Sequence, residues 1–202
     1  MRFREEIFAR GTFSSDLVSR YIPTWEPFLR ELEDRVARIL EIGSFEGMSA
    51  CYFLWRLPDA RITCVDSFAG SSGIGSVGAH LSALEQTFDR NVSLVGSNRV
   101  RKLVGDSGRV LFDLVDERER FDAVYVDASH LALDVMVDAS LSWHVLASGG
   151  IMIFDNYGWE FLGQGRLVRT APAIDAFLDV VQDDSEVLLK GEQVILRKTE
   201  PV

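Results

Sequence analysis

The chain has 202 residues, 47% of them apolar, which suits one globular domain with a real core rather than a disordered segment. Its 21 basic and 31 acidic residues leave a formal charge of −10, which argues against nucleic acid or an anionic membrane as the main partner. No apolar run is long enough to span a bilayer, and Met1–Glu6 lacks a signal-peptide apolar core, so a cytoplasmic location is expected, with Cys51 and Cys64 as reduced packing residues.

Residues from about Ser14 to Asp34 read as helical, with Ser14 or Ser15 as candidate N-cap. Pro23 and Pro27 interrupt the pattern and predict two short helices with a bend. Trp25 and Phe28 near the bend are packing candidates, or the whole segment, residues 1–35, caps a substrate pocket. A buried strand follows over Val36–Ile42 and ends in Glu41-Ile42-Gly43-Ser44-Phe45-Glu46-Gly47-Met48-Ser49, a glycine turn opening a helix to about Trp55. Gly43 permits a sharp turn, Gly47 lets the helix sit close to whatever lies in the turn, and the free N–H groups at the helix start suit an anionic group. Glu41 suits a cation or a pair of hydroxyls instead. This G-x-x-x-G spacing is not the G-x-G-x-x-G dinucleotide fingerprint, which weighs against a nucleotide-dependent oxidoreductase.

Arg61–Asp66 is the second strand, and Asp66, followed by Ser67, falls where a ribose-binding acid belongs in a βαβ unit. Ala69–Gly78, with four glycines, is either a flap over the site or a long connection. A helix over about His80–Val92 precedes a third strand, Val100–Val104. Asp106 and Ser107 then either meet an adenine amino group or cap the next helix, to about Val115. Phe121–Asp127 is a strand ending in an acid, Leu131–Leu146 a helix, and Ile151–Phe154 a strand ending in Asp155-Asn156. Tyr157–Leu167 reads as loop, and Thr170 or Ala171 starts a last helix to about Val181. Glu186–Lys190 and Gln193–Arg197 flank Gly191-Glu192 as a two-residue hairpin turn.

Alternation of strand and helix predicts an α/β fold: a Rossmann-like, mostly parallel sheet with helices on both faces, closed by an antiparallel hairpin. In such a sheet ligands bind beyond the carboxyl ends of the strands. Glu41, Asp66, Asp106, Asp127 and Asp155 all fall there, an acidic rim that calls for a cationic ligand. Asp127, Asp155 and Asn156 offer oxygen donors only, which suits Mg²⁺ or a similar hard cation.

The stretch Glu41–Ser49 resembles the first motif of class I S-adenosylmethionine-dependent methyltransferases, in the E-I-G-x-x-x-G-x-S form of the catechol and caffeoyl-CoA O-methyltransferases and their bacterial relatives. The resemblance covers residues 36–202 and implies a seven-stranded sheet. It also implies cofactor contacts at Glu41, Gly43, Ser44, Gly47, Ser49, Asp66, Ser67, Asp106, Ser107 and Asp127, and a divalent cation on Asp127, Asp155 and Asn156. Those enzymes carry a lysine three residues after the first metal acid, whereas this chain has His130, as in the macrocin O-methyltransferase type. Asp155-Asn-Tyr-Gly-Trp159 and Ala173-Ile-Asp-Ala-Phe177 resemble that group too. His130 is therefore the candidate base, its imidazolium disfavoured by the positive helix end, with Asp134 one turn on as a candidate to hold the ring; a capping or packing histidine is the alternative. Tyr157, Trp159 and Phe161 either line an acceptor pocket or pack the loop. The implied function is O-methylation of a small-molecule hydroxyl, on a sugar, macrolide or phenol. Its alternatives are metal-independent transfer to nitrogen or carboxylate and non-catalytic S-adenosylmethionine binding. The N-terminal segment and the closing hairpin are where a homodimer interface would lie.

Overall fold

A computed structural model describes residues 2–69, 81–163 and 166–199. Nine strands and six α-helices run through these residues in the order α1 (Ile22–Arg30), β1 (Arg38–Ile42), α2 (Met48–Arg56), β2 (Arg61–Asp66), α3 (Leu81–Ser93), β3 (Val100–Val104), α4 (Ser107–Asp116), β4 (Phe121–Val126), α5 (Ala132–Val145), β5 (Leu146–Phe154), β6 (Glu160–Gly163), β7 (Arg166–Arg169), α6 (Ala171–Val180), β8 (Ser185–Lys190) and β9 (Val194–Lys198). The main sheet has seven strands in the order β3-β2-β1-β4-β5-β9-β8. Its first five are parallel, β9 pairs antiparallel with β5, and β8 pairs antiparallel with β9. The expected architecture is the one found. The order reverses between β1 and β4, the switch point at which open α/β sheets bind ligands.

Both faces of the sheet are covered, so its central strands are mostly apolar rather than alternating with polar residues. Ile39, Ile62, Tyr125 and Ile153 face a core shared with α1, α2 and α3, where Trp25, Tyr52 and Phe53 are buried. Leu40, Ile42, Val124 and Phe154 face the opposite core, built with Leu111, Val135 and Phe177 of α4, α5 and α6. Register places Glu41 beside Cys64 of β2 and Tyr125 of β4, a polar row inside an otherwise apolar layer. Among the described residues no helix is long and apolar enough to cross a membrane.

Five local expectations are corrected. The segment before β1 holds one α-helix, not two with a bend, preceded by a π-turn over Arg4–Phe8. Pro23 lies in the first turn, where a missing N–H is no loss, and Pro27 is absorbed inside the helix. Ser14 caps nothing; its N–H donates to Glu46 Oε2 at 2.7 Å. Strand β5 begins at Leu146, ahead of Gly149-Gly150. Residues 160–163 and 166–169 pair as a small antiparallel hairpin where a loop was expected. The β8–β9 connection takes three residues, because Lys190 pairs with Val194 and Gln193 turns inward to accept from Trp25 Nε1 at 2.8 Å. Most of Ala69–Gly78, expected as either a flap or a long connection, lies outside the described residues.

Candidate functional site

The β1–α2 turn is shaped by its glycines. Gly43 has φ +86°, and a Cβ there would stand 2.2 Å from the Asp127 carbonyl oxygen, so the turn lies directly on the end of β4. Gly47, the N-cap of α2, has φ +79°, and a Cβ there would meet the Phe88 ring at 2.9 Å. Its neighbour is thus helix α3 rather than the inside of the turn. No side chain caps α2, which leaves the first N–H groups of the helix to a ligand. Beneath the turn Glu41 is fully buried, and neither carboxylate oxygen has a hydrogen-bond partner; nor does the buried Ser44 Oγ. Burial pushes the Glu41 carboxyl above the ordinary carboxylate range, with Ser44, Ser49 and Cys64 nearby pulling it back.

Asp66 closes the edge of this turn. Its Oδ2 accepts from Phe45 N and its Oδ1 from Phe68 N, both at 2.7 Å. Ser67 beside it is exposed. At the end of β3, Asp106 N-caps α4, with Oδ1 accepting from Arg109 N at 3.1 Å. Its capping role is thus settled by geometry, and the residue is exposed.

The ends of β4 and β5 bring Asp127, His130, Asp155 and Asn156 around one cavity of about 10 Å³, the size of one water or ion. Asn156 Nδ2 donates to Asp127 Oδ1 at 2.7 Å, and Asn156 N donates to Asp155 Oδ1 at 2.7 Å. Asn156 sits in the left-handed region at φ +60°, which asparagine tolerates better than most residues. Thr170 Oγ1 holds its carbonyl at 2.6 Å. Tyr125 Oη donates to Asp155 Oδ2 at 2.6 Å and stands 3.4 Å from Asp127 Oδ2. Burial, with Asp155 and Glu41 close by, pushes the Asp127 carboxyl well up.

His130 is half-buried, and that burial lowers its pKa below the ordinary imidazole value against the pull of Asp155, so the ring is neutral near pH 7. Asp134 does not orient it; Asp134 Oδ2 accepts from Ser129 Oγ at 2.7 Å. Trp159 packs on the imidazole with ring centroids 4.4 Å apart, and Phe161 stacks on Trp159 at 6.0 Å. Tyr157 turns away and donates to Asp175 Oδ1 at 2.8 Å. Sequence reasoning missed Tyr125 and Thr170. Period two along β4 puts Tyr125 on the face of Asp127, a signal that was there to read; nothing local marks Thr170.

The site residues suit the two implied groups. Glu41 and Ser44 present orphaned buried oxygens under a glycine turn, where a ligand with hydroxyl or ammonium donors would be held. Among the described residues no three His, Cys, Asp or Glu side chains converge as a metal site. Asp127, Asp155 and Asn156 form a two-carboxylate, one-amide set, and Mg²⁺ is commonly held by one or two carboxylates plus water.

Residues 40–157 match the model of a family described as a methyltransferase domain. MycE, a methyltransferase from the mycinamycin biosynthetic pathway solved with Mg, SAH and mycinamycin VI, aligns over 99% of this chain and 53% of its own, with TM-score 0.69 and 15% identity. The chain thus spans about half the length of MycE. TomG, the O-methyltransferase from Streptomyces achromogenes involved in tomaymycin synthesis, was solved with SAM. It aligns over 88% of this chain and 80% of its own, with TM-score 0.60 and 17% identity. The O-methyltransferase NovP aligns over 81% and 72%, with TM-score 0.59 and 18% identity. At these identities the likeness is one of fold. No curated protein sequence matches the chain.

Proposed function

The chain belongs to the methyltransferase-domain family, and we propose that it transfers a methyl group from S-adenosylmethionine to a hydroxyl of a small molecule with the help of a divalent cation. The observation that carries this reading is the convergence of Asp127, His130, Asp155 and Asn156 around one cavity at the carboxyl ends of β4 and β5, next to the sheet's switch point. The Mg and SAH in the MycE complexes support it by analogy of fold.

In this reading Glu41, Ser44 and the α2 N-terminus hold the amino-acid end of the cofactor. Asp66, released from one of its two backbone N–H partners, takes the ribose hydroxyls. Asp106 and Ser107 border the adenine. When bound, S-adenosylmethionine would supply an activated methyl on a sulfonium, to be bonded to the acceptor oxygen while the electron pair of the broken C–S bond stays on sulfur. Asp127, Asp155 and Asn156 would hold the cation, which would supply Lewis acidity to lower the pKa of the acceptor hydroxyl. Asn156 would then present its amide oxygen and exchange its bond from Nδ2 to Asp127. His130 takes the hydroxyl proton on an imidazole nitrogen, and its lowered pKa keeps that nitrogen free at neutral pH. Trp159 shields the imidazole from water and, with Phe161, offers the acceptor an apolar wall. Positioning supplies most of the acceleration, because the donor already carries the reactive group.

One observation favours a second reading, transfer without a cation. Tyr125 and Asn156 already satisfy both carboxylates with protein donors. Asp155→Ala separates the two. The expected outcome is loss of transfer while S-adenosylhomocysteine still binds by calorimetry. Full activity of this variant in excess chelator would establish the cation-free reading.

A further inference from the structure

Tyr125 is the one polar side chain of β4 that points into the aromatic core and ends at the acidic rim. Period two along the strand sets it on the same face as Asp127. Its ring is clamped edge-on by Trp25 at 5.4 Å and by Phe53 at 5.8 Å between centroids. The ring is buried, so the hydroxyl has one place to go, beyond the carboxyl end of the strand. There it lies 2.6 Å from Asp155 Oδ2 and 3.4 Å from Asp127 Oδ2. A phenol has one proton, and the shorter contact takes it. Each carboxylate oxygen has a second lone pair, so the Tyr125 bond fixes Asp155 without using up its capacity for a cation.

We propose that Tyr125 is a positioning residue for the two carboxylates, its hydroxyl, rather than the packing of its ring, holding Asp155 toward Asp127 in a cation-binding pose. The inference rests on the proposed function and adds a residue to it. It explains why a phenol occupies a position where the core alone would accept phenylalanine. It also separates the roles of the two protein donors. Asn156 must give up its bond to Asp127 when a cation binds, whereas Tyr125 keeps its bond to Asp155 throughout. Partners that orient metal ligands in this way contribute about 10–100-fold to metal affinity.

The test is Tyr125→Phe, which keeps the clamped ring and removes only the hydroxyl. Mg²⁺ and, separately, S-adenosylhomocysteine are titrated calorimetrically into wild type and variant. Phe53→Leu, which loosens the clamp without touching a polar group, serves as the packing control. The expected result is Mg²⁺ affinity lower by about 10–100-fold in Tyr125→Phe, with S-adenosylhomocysteine affinity within twofold of wild type, and wild-type Mg²⁺ affinity in Phe53→Leu. Unchanged Mg²⁺ affinity in Tyr125→Phe would overturn the inference while leaving the cation site standing. Equal losses in both variants, or a parallel loss of S-adenosylhomocysteine binding, would make Tyr125 a packing residue and overturn it too. A wild-type protein that takes up no Mg²⁺ would overturn the cation site and this inference with it.

Discussion

At the scale of the residue, the unusual feature is a carboxylate buried without a partner. Glu41 sits between Cys64 and Tyr125 in the sheet, with both oxygens unpaired. An isolated buried charge is expensive, so the acid is held toward its neutral form. The sign of the linkage follows. The folded state keeps a proton that the unfolded chain gives up in the ordinary carboxylate range, so this group costs stability as pH rises above that range. Such a residue makes physical sense where a ligand brings the missing donors. Glu41→Gln therefore has two opposite effects. Without ligand the variant melts higher than wild type at pH 8, read by calorimetry. Its affinity for S-adenosylhomocysteine falls by about 10-fold or more, a loss of ~1.4 kcal/mol. A variant that melts higher and binds equally well would remove Glu41 from the proposed cofactor site.

At the scale of the element, most of the sheet was legible because its central strands are apolar runs stopped by an acid or a glycine. Gly43 and Gly47 were readable as turn residues, and φ +86° and +79° give the physical reason. What stayed hidden depends on contacts distant in sequence. The β6–β7 hairpin has strands of only four residues, and its first strand follows Trp159, which rests on His130 some thirty positions earlier. Helix α1 looked broken at Pro27, yet it persists because Trp25 is fully buried against Phe53 and Tyr125 and donates to Gln193, 168 positions away. Tertiary burial outweighs the lost helix hydrogen bond. Trp25→Ala would then cost about 3–5 kcal/mol, read by urea denaturation at equilibrium. A cost under ~1 kcal/mol would mean that α1 is a loosely attached cap rather than part of the core.

At the scale of the whole molecule, two populations of carboxylates pull stability in opposite directions with pH. Asp16, Glu26, Glu31, Glu119 and Asp175 have lowered pKa values, held down by hydrogen bonds and by basic partners such as Arg197 at Glu31 and Lys190 at Asp175. Their contribution is present above the ordinary carboxylate range and is lost as pH falls through it. It is modest, because most of these pairs are solvent-exposed. Asp138 on α5 acts the other way. It is buried against the start of α4 with neither oxygen hydrogen-bonded. Burial pushes its carboxyl up to about 7, Asp134 and Asp106 add to the rise, and Ser107 opposes it. Between pH ~4 and about 7 the folded state holds a proton that the unfolded state has lost, so stability falls as pH rises across that window. A displacement of that size is worth on the order of 4 kcal/mol at most. The two effects together place maximum stability of the ligand-free protein on the acid side of neutrality. Asp138→Asn removes the falling limb. For a chain of this size ~1 kcal/mol is worth roughly 2–4 °C, so the variant is expected to melt several degrees above wild type at pH 8 and close to it at pH 5. Parallel melting curves for the two proteins across that range would show that Asp138 is ionised in the folded state, and that α4 and α5 admit enough water to keep it so.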